Sequence, residues 1–257
     1  MYRISFVIPY ESTEKLERYA NLMSSLGYSG VELGIKDPGV VEADRIKEIV
    51  SRFNLVIPAL GTGRAFTEDG ISLSSKDEKI RGTAIERLKS HIELASRISS
   101  MVIVGLIRGN VYDDEGIGYV RSALRDICGY GRERGVKILL EPINRYEVNW
   151  LNTVEDTYSF IKDLGIDNLG LLIDIFHMNI EEPSIASCIF RFRELIWHIH
   201  IADSNRLYPG AGHIDFKDIF RVLSAIGYNG FVSAELINKP DIETAISRTI
   251  RYLNSII

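Results

Sequence analysis

The chain is 257 residues long, 46% hydrophobic and 25% charged. That balance fits an ordinary globular α/β protein that folds as one domain over 1–257, and it excludes disordered, fibrous and collagen-like classes. A net charge of −5 offers no general attraction for nucleic acid or anionic lipid, so the expected partner is a small molecule, with no nucleic acid and no membrane.

The first predicted strand, 3–8 (RISFVI), follows Met1 without the basic region, long apolar core and cleavage site of a leader. No later run approaches a membrane span, and a cytoplasmic location is expected. Ser12 then stands as a cap before an amphipathic stretch over 13–26. Strand-length apolar runs recur at 30–33 (GVEL), 55–60 (LVIPAL), 101–106 (MVIVGL), 136–140, 169–173, 196–200 and 231–235. Amphipathic stretches near 41–53, 76–98, 119–134, 153–164, 184–194 and 215–226 lie between them, and another follows at 241–255. Thr153 and Asp215 are caps like Ser12, and Gly27, Gly165 and Gly227 each stand just past a predicted helix. Eight alternating units without a linker predict a right-handed parallel sheet closed into a (β/α)8 TIM barrel. Cys128 and Cys188 fall in predicted helices and read as separate buried thiols rather than a disulfide or a metal site.

Four of the predicted strands end on a ligand-type side chain: Glu141, Asp174, His200 and Glu235. The C-terminal ends of parallel barrel strands converge on one mouth, so these four can surround one ion. Three carboxylates would repel one another and take up protons unless a cation joined them. One imidazole with three carboxylates suits Mn2+ first, with Co2+ or Mg2+ as alternatives, better than a structural zinc. His198 points to the same side of its strand as His200 and reads as a deeper, hydrogen-bonded histidine.

The segments EPINRYE, LIDIFHMNIEE, HIHIADSNRLYPGAGHIDF and FVSAE resemble the sugar isomerase/epimerase family with the xylose-isomerase-like barrel, most closely its ketose 3-epimerase branch. The resemblance runs along nearly the whole chain. It implies that Glu141, Asp174, His200 and Glu235 hold one Mn2+ or similar ion, and that His177, Glu147 and Arg206 contact substrate hydroxyl or carbonyl oxygens. It also implies that Glu141 and Glu235 transfer protons on opposite faces of the substrate through an enediolate. Family members are commonly oligomeric, so a homo-oligomer is expected.

A metal next to the ketone supplies the oxyanion stabilisation that a carboxylate base needs for a carbon acid. Two bases on opposite faces give epimerisation, whereas one base on one face gives aldose–ketose isomerisation, as in a hydroxypyruvate-type isomerase. Arg64 and Arg108 follow strands three and four at the same mouth and are candidates to read an anionic sugar end, with surface salt bridges as the alternative. The GTGRAF and DSNR segments look like those of 5-keto-L-gluconate epimerases, which makes a keto sugar acid an alternative to tagatose, fructose or psicose. Phe66 is a candidate wall for the sugar. A remote alternative is an apurinic endonuclease, but the loops after strands three and four lack the extra histidines of a three-zinc cluster.

Overall fold

Eight parallel strands pair in chain order and close on themselves in the computed structural model, which describes residues 2–257. They are β1 (Arg3–Pro9), β2 (Gly30–Gly34), β3 (Ala59–Gly61), β4 (Met101–Val104), β5 (Ile138–Leu140), β6 (Leu169–Asp174), β7 (Ile196–Ile201) and β8 (Phe231–Ala234). Closure comes from β1 lying beside β8, with Arg3 opposite Phe231 and Phe6 opposite Ala234. Among the described residues no helix is long and apolar enough to cross a membrane.

The main helices form the outer ring: α1 (Thr13–Ser25), α2 (Ala43–Arg52), α4 (Glu78–Ile98), α5 (Asp114–Glu133), α6 (Val154–Leu164), α8 (Ile185–Phe192), α9 (Phe216–Ala225) and α10 (Ile242–Leu253). Three predicted caps form as side-chain bonds. Ser12 accepts from the Lys15 N–H, Thr153 from Asp156 and Asp215 from Asp218, satisfying donors that helix starts leave free. Gly27, Gly165 and Gly227 stand at φ +87°, +64° and +66°, the left-handed conformation that turns a helix back towards its strand.

Two further helices were not predicted. α3 (Gly63–Asp69) and α7 (Ile175–Glu181) occupy the loops after β3 and β6, and short 3-10 turns cover Pro38–Val40 and Leu106–Arg108. Strand three is also shorter than the 55–60 expectation. Pro58 has no N–H to give the ladder, although its carbonyl accepts from Met101 at 3.1 Å, and Val56 makes only an isolated bridge to Gly30.

Pleat alternation sends Val31, Leu33, Val102, Val104, Leu171 and Ile173 outward into the main apolar core beneath the helices. The barrel interior is chemically divided. Ala59, Ile103, Leu139 and Leu172, from β3 to β6, form a small apolar cluster of their own. The opposite wall, from β7 through β8 and β1 to β2, is polar, with His198, His200, Ser233, Ser5 and Glu32 all buried. Burying so many polar groups is costly unless they satisfy one another, and they do so in a chain that ends at the mouth.

Candidate active site

Strand register places the four strand-end residues together. Asp174 lies directly opposite His200 in the β6–β7 ladder. Glu235 follows β8 and its N–H still donates to the Ile201 carbonyl at 3.1 Å, while Glu141 follows β5 and donates to Val104 at 3.2 Å. Each residue thus offers a ligand atom within 4.8 Å of the others. Room for the Glu141 carboxylate depends on Gly105, where a Cβ would stand 2.4 Å from Glu141 Oε2. Among the described residues a second group, Glu32 with His198 and His200, lies directly below.

The electrostatics of the four are those of a site built for a cation. Burial first, and then the charge of Glu235, push the Glu141 carboxyl up to about 8, with Asp174 adding to the rise and His200 opposing it. Burial would raise Glu235 too, but His200 and Arg206 hold it down at about 2. Its side chain stays 37% exposed, so solvent screens part of this effect. Arg206 donates from Nη1 to Asp174 and from Nη2 to Glu235, both at 2.5 Å. His200 Nδ1 is buried without a hydrogen-bond partner, 3.4 Å from Glu235 Oε2 and 4.0 Å from Glu141 Oε1. An unpartnered imidazole nitrogen among three carboxylates is a donor set for a divalent cation, and these residues fit one.

His177, on α7, closes the pocket from above. Its Nε2 lies 3.7 Å from Asp174 Oδ2 and 4.0 Å from Glu141 Oε1. Burial holds its pKa below the usual histidine value. The tautomer follows from Asn144, which sequence reading left without a role. The Tyr146 N–H donates to Asn144 Oδ1, which fixes the amide so that Nδ2 faces His177 Nδ1 at 2.7 Å and Glu147 Oε1 at 2.9 Å. His177 Nδ1 therefore accepts, and its Nε2 carries the hydrogen and points into the site. Asp174 accepts the Phe176 N–H as cap of α7, and the Arg206 guanidinium lies over the Phe176 ring at 4.6 Å.

Sequence reading put three more side chains at this mouth, and none of the three lines the pocket around the four strand-end residues. Arg108 is corrected: it is fully buried and donates to the carbonyls of Glu141, Gly105, Trp150 and Leu151. After Gly105 the chain enters a 3-10 turn that carries Arg108 away from the pocket and behind the β5 end. Burial lowers its pKa to about 10, and it supports the site through the main chain of Glu141. Arg64, on α3, faces a neighbouring groove with Tyr10, Ile35 and Lys36, where it pairs with Glu68 at 2.7 Å and with the Tyr10 carbonyl. Phe66 packs half-buried against the core and is not among the residues lining the pocket. The β3 and β4 ends instead contribute Gly61, Thr62, Gly63 and Leu106.

Glu32 is the other residue that sequence reading passed over. It is fully buried, and its two oxygens lie 2.8 Å from His200 Nε2 and 2.7 Å from His198 Nε2. Burial works against its ionisation, but the two histidines outweigh that and lower its pKa. A carboxylate in the middle of a wholly buried parallel strand was the available signal, since such strands are otherwise apolar.

The chain resembles known proteins in sequence and fold. The chain is similar to L-ribulose 3-epimerase of Mesorhizobium japonicum, 29% identical over 95% of this chain and 83% of that protein. It is also similar to the 3-dehydro-D-guloside 4-epimerase of Escherichia coli, 36% identical over 45% of this chain and 44% of that protein. These relatives are carbohydrate epimerases, and hence isomerases. A solved L-ribulose 3-epimerase structure superposes with a TM-score of 0.88 at 25% identity, covering 99% of this chain and 94% of the other. The family model for the xylose isomerase-like TIM barrel matches residues 20–256, and the chain belongs to that family.

Proposed function

We propose that the protein is a metal-dependent epimerase that inverts a carbon beside the ketone of a ketose or keto sugar. One observation carries the reading: Glu141 and Glu235, from strands three places apart around the barrel, bring two carboxylates into a single ligand cluster. Two such groups can address opposite faces of a substrate lying between them. The relatives named above, which invert carbon 3 or carbon 4 of ketoses and keto-glycosides by name, support the same class.

A divalent ion held by Glu141, Asp174, His200 and Glu235, with Mn2+ as first choice, would supply Lewis-acid stabilisation of the charge that develops on the ketone oxygen. The chain's own groups do the rest. One glutamate removes the proton next to the ketone and the other returns a proton to the opposite face of the enediolate. His177 Nε2–H donates to a substrate oxygen, and Glu147 accepts from a hydroxyl. Arg206, whose guanidinium lines the pocket, keeps an oxyanion or hydroxyl in register.

With the Arg206 guanidinium already shared by two carboxylates, a neutral ketose is the first substrate to test. A keto sugar acid is the second, with Arg64 as the residue that would read its carboxylate. The experiment is a screen of ketoses and keto sugar acids with Mn2+, read by NMR in D2O. Epimer formation with deuterium at the inverted carbon supports the proposal. An aldose product points instead to one-face isomerisation, and nicking of abasic DNA to a nuclease.

A further inference from the structure

We infer that Glu32 is a positioning residue for the metal centre: by accepting from Nε2 it fixes His200 in the tautomer whose Nδ1 lone pair faces Glu141 and Glu235. The inference rests on the four-ligand reading of the site and extends it to the interior of the barrel. An ionised carboxylate only accepts hydrogen bonds. Glu32 Oε1 lies 2.8 Å from His200 Nε2 and Oε2 lies 2.7 Å from His198 Nε2, so both histidines donate from Nε2. Where a cation occupies the site the imidazole is neutral, which leaves Nδ1 of His200 without a hydrogen; that atom is buried and lacks a protein partner.

The surroundings hold the carboxylate itself in place. Glu32 is on β2 between the outward Val31 and Leu33, which pack into the core, and all three are fully buried. The Nε2 of His198 also lies 3.1 Å from Ser233 Oγ, and Ser233 in turn bonds Ser5. The chain Ser5, Ser233, His198, Glu32, His200 thus crosses the polar half of the barrel and ends on the metal-facing nitrogen. Its effect is on orientation and on the basicity of one ligand, a role for which loss of the outer partner typically weakens metal binding 10–100-fold.

Glu32→Gln tests this without relying on turnover. A Gln has one acceptor oxygen and two N–H donors where the carboxylate has two acceptors, so it cannot accept from both histidines. Mn2+ affinity measured by calorimetry is expected to fall about 10–100-fold in the Gln variant. Long-range 1H–15N spectra of the wild-type protein loaded with diamagnetic Mg2+ are expected to find His200 protonated at Nε2 and not at Nδ1. Unchanged affinity in a folded Glu32→Gln protein, or a metal-loaded wild-type His200 protonated at Nδ1, overturns the inference. The spectrum needs no variant and so decides the matter even if Glu32→Gln does not fold. Wild-type protein that binds no Mn2+ refutes the four-ligand reading, a different result from binding that ignores Glu32.

Discussion

The main-chain N–H of Arg206 donates to the carbonyl of Asp203 at 2.8 Å, and this bond closes a turn in which Arg206 stands at φ +61°. A non-glycine residue held in the left-handed region stores strain that its surroundings must over-determine. They do: the Arg206 carbonyl accepts from Ile237 at 2.7 Å, in the loop after Glu235. The Asp203 carboxylate gathers the N–H groups of Ser204, Gly210 and Ile214 at 2.8, 2.8 and 3.1 Å. The loop is therefore shaped to present one guanidinium to Asp174 and Glu235.

Replacing Arg206 separates strain from function. Arg206→Ala is expected to lower kcat/KM by about 10²–10³, the loss associated with one preorganised charge-stabilising donor. Arg206→Lys is expected to recover little, because an ammonium cannot present the planar fork that bridges two carboxylates. Arg206→Gly removes the same guanidinium but relieves the backbone, so it is expected to be more stable than Arg206→Ala by about 1 kcal/mol, or about 2–4 °C in Tm. Equal melting of the Gly and Ala variants would remove the strain argument.

Asp203 links the loop to pH. Its pKa is lowered: burial opposes ionisation, and the backbone N–H donors of Ile214, Ser204, Gly212 and Gly210 outweigh it. A depressed carboxylate stabilises the fold above its unfolded pKa of about 3.9, and that contribution is lost as pH falls through the lower folded value. Asp203→Ala is expected to lose about 2 kcal/mol near neutral pH, about 4–8 °C in Tm. The gap to wild type should narrow below about pH 4. Thermal melts across pH 3–8 check both points.

Metal removal gives a third prediction. If the four strand-end residues hold a divalent ion, chelation lowers Tm and Mn2+ restores it. At a hundredfold excess over Kd the stabilisation is about 2.7 kcal/mol. Alanine at Asp174 should abolish the metal-dependent rise, whereas Arg64→Ala should leave it intact.

Arg64 is expected to bear on the substrate alone. Since it faces the groove beside the pocket, Arg64→Ala is expected to leave kcat/KM for a neutral ketose within about threefold of wild type. For a keto sugar acid the loss of a charge-assisted contact of about 1.5–3 kcal/mol corresponds to about a 10–150-fold drop. A parallel fall for both substrates would mean that Arg64 acts on the architecture of the α3 loop.

The eight strands and eight longer helices were legible because their periodicities persist over enough residues to be read, and because caps such as Ser12 and Thr153 are local signals. Asp174, His200, Glu141 and Glu235 were legible for a related reason: a polar residue that ends an apolar run stands out. The seven-residue helices α3 and α7 are too short for a helical period, so the surroundings of Arg64, Phe66 and His177 could not be foreseen. Arg108 was misjudged because position after a strand does not say which way a side chain turns once Gly105 has bent the chain. Glu32 was hidden differently. Its meaning lies in His198 and His200, 166 and 168 residues away, and only closure of the barrel brings them together.

The central claim is that Glu141 and Glu235 are opposed proton-transfer groups at one metal centre. Its most direct measurement is NMR of a turned-over ketose in D2O with Mn2+-loaded wild type, Glu141→Gln and Glu235→Gln, each with metal content determined. Wild type is expected to place deuterium at the inverted carbon as the epimer forms, and each metal-loaded variant to lose about 10²–10⁴ in the rate of inversion. Inversion in wild type without deuterium at that carbon, or at an unchanged rate in either loaded variant, would contradict the account.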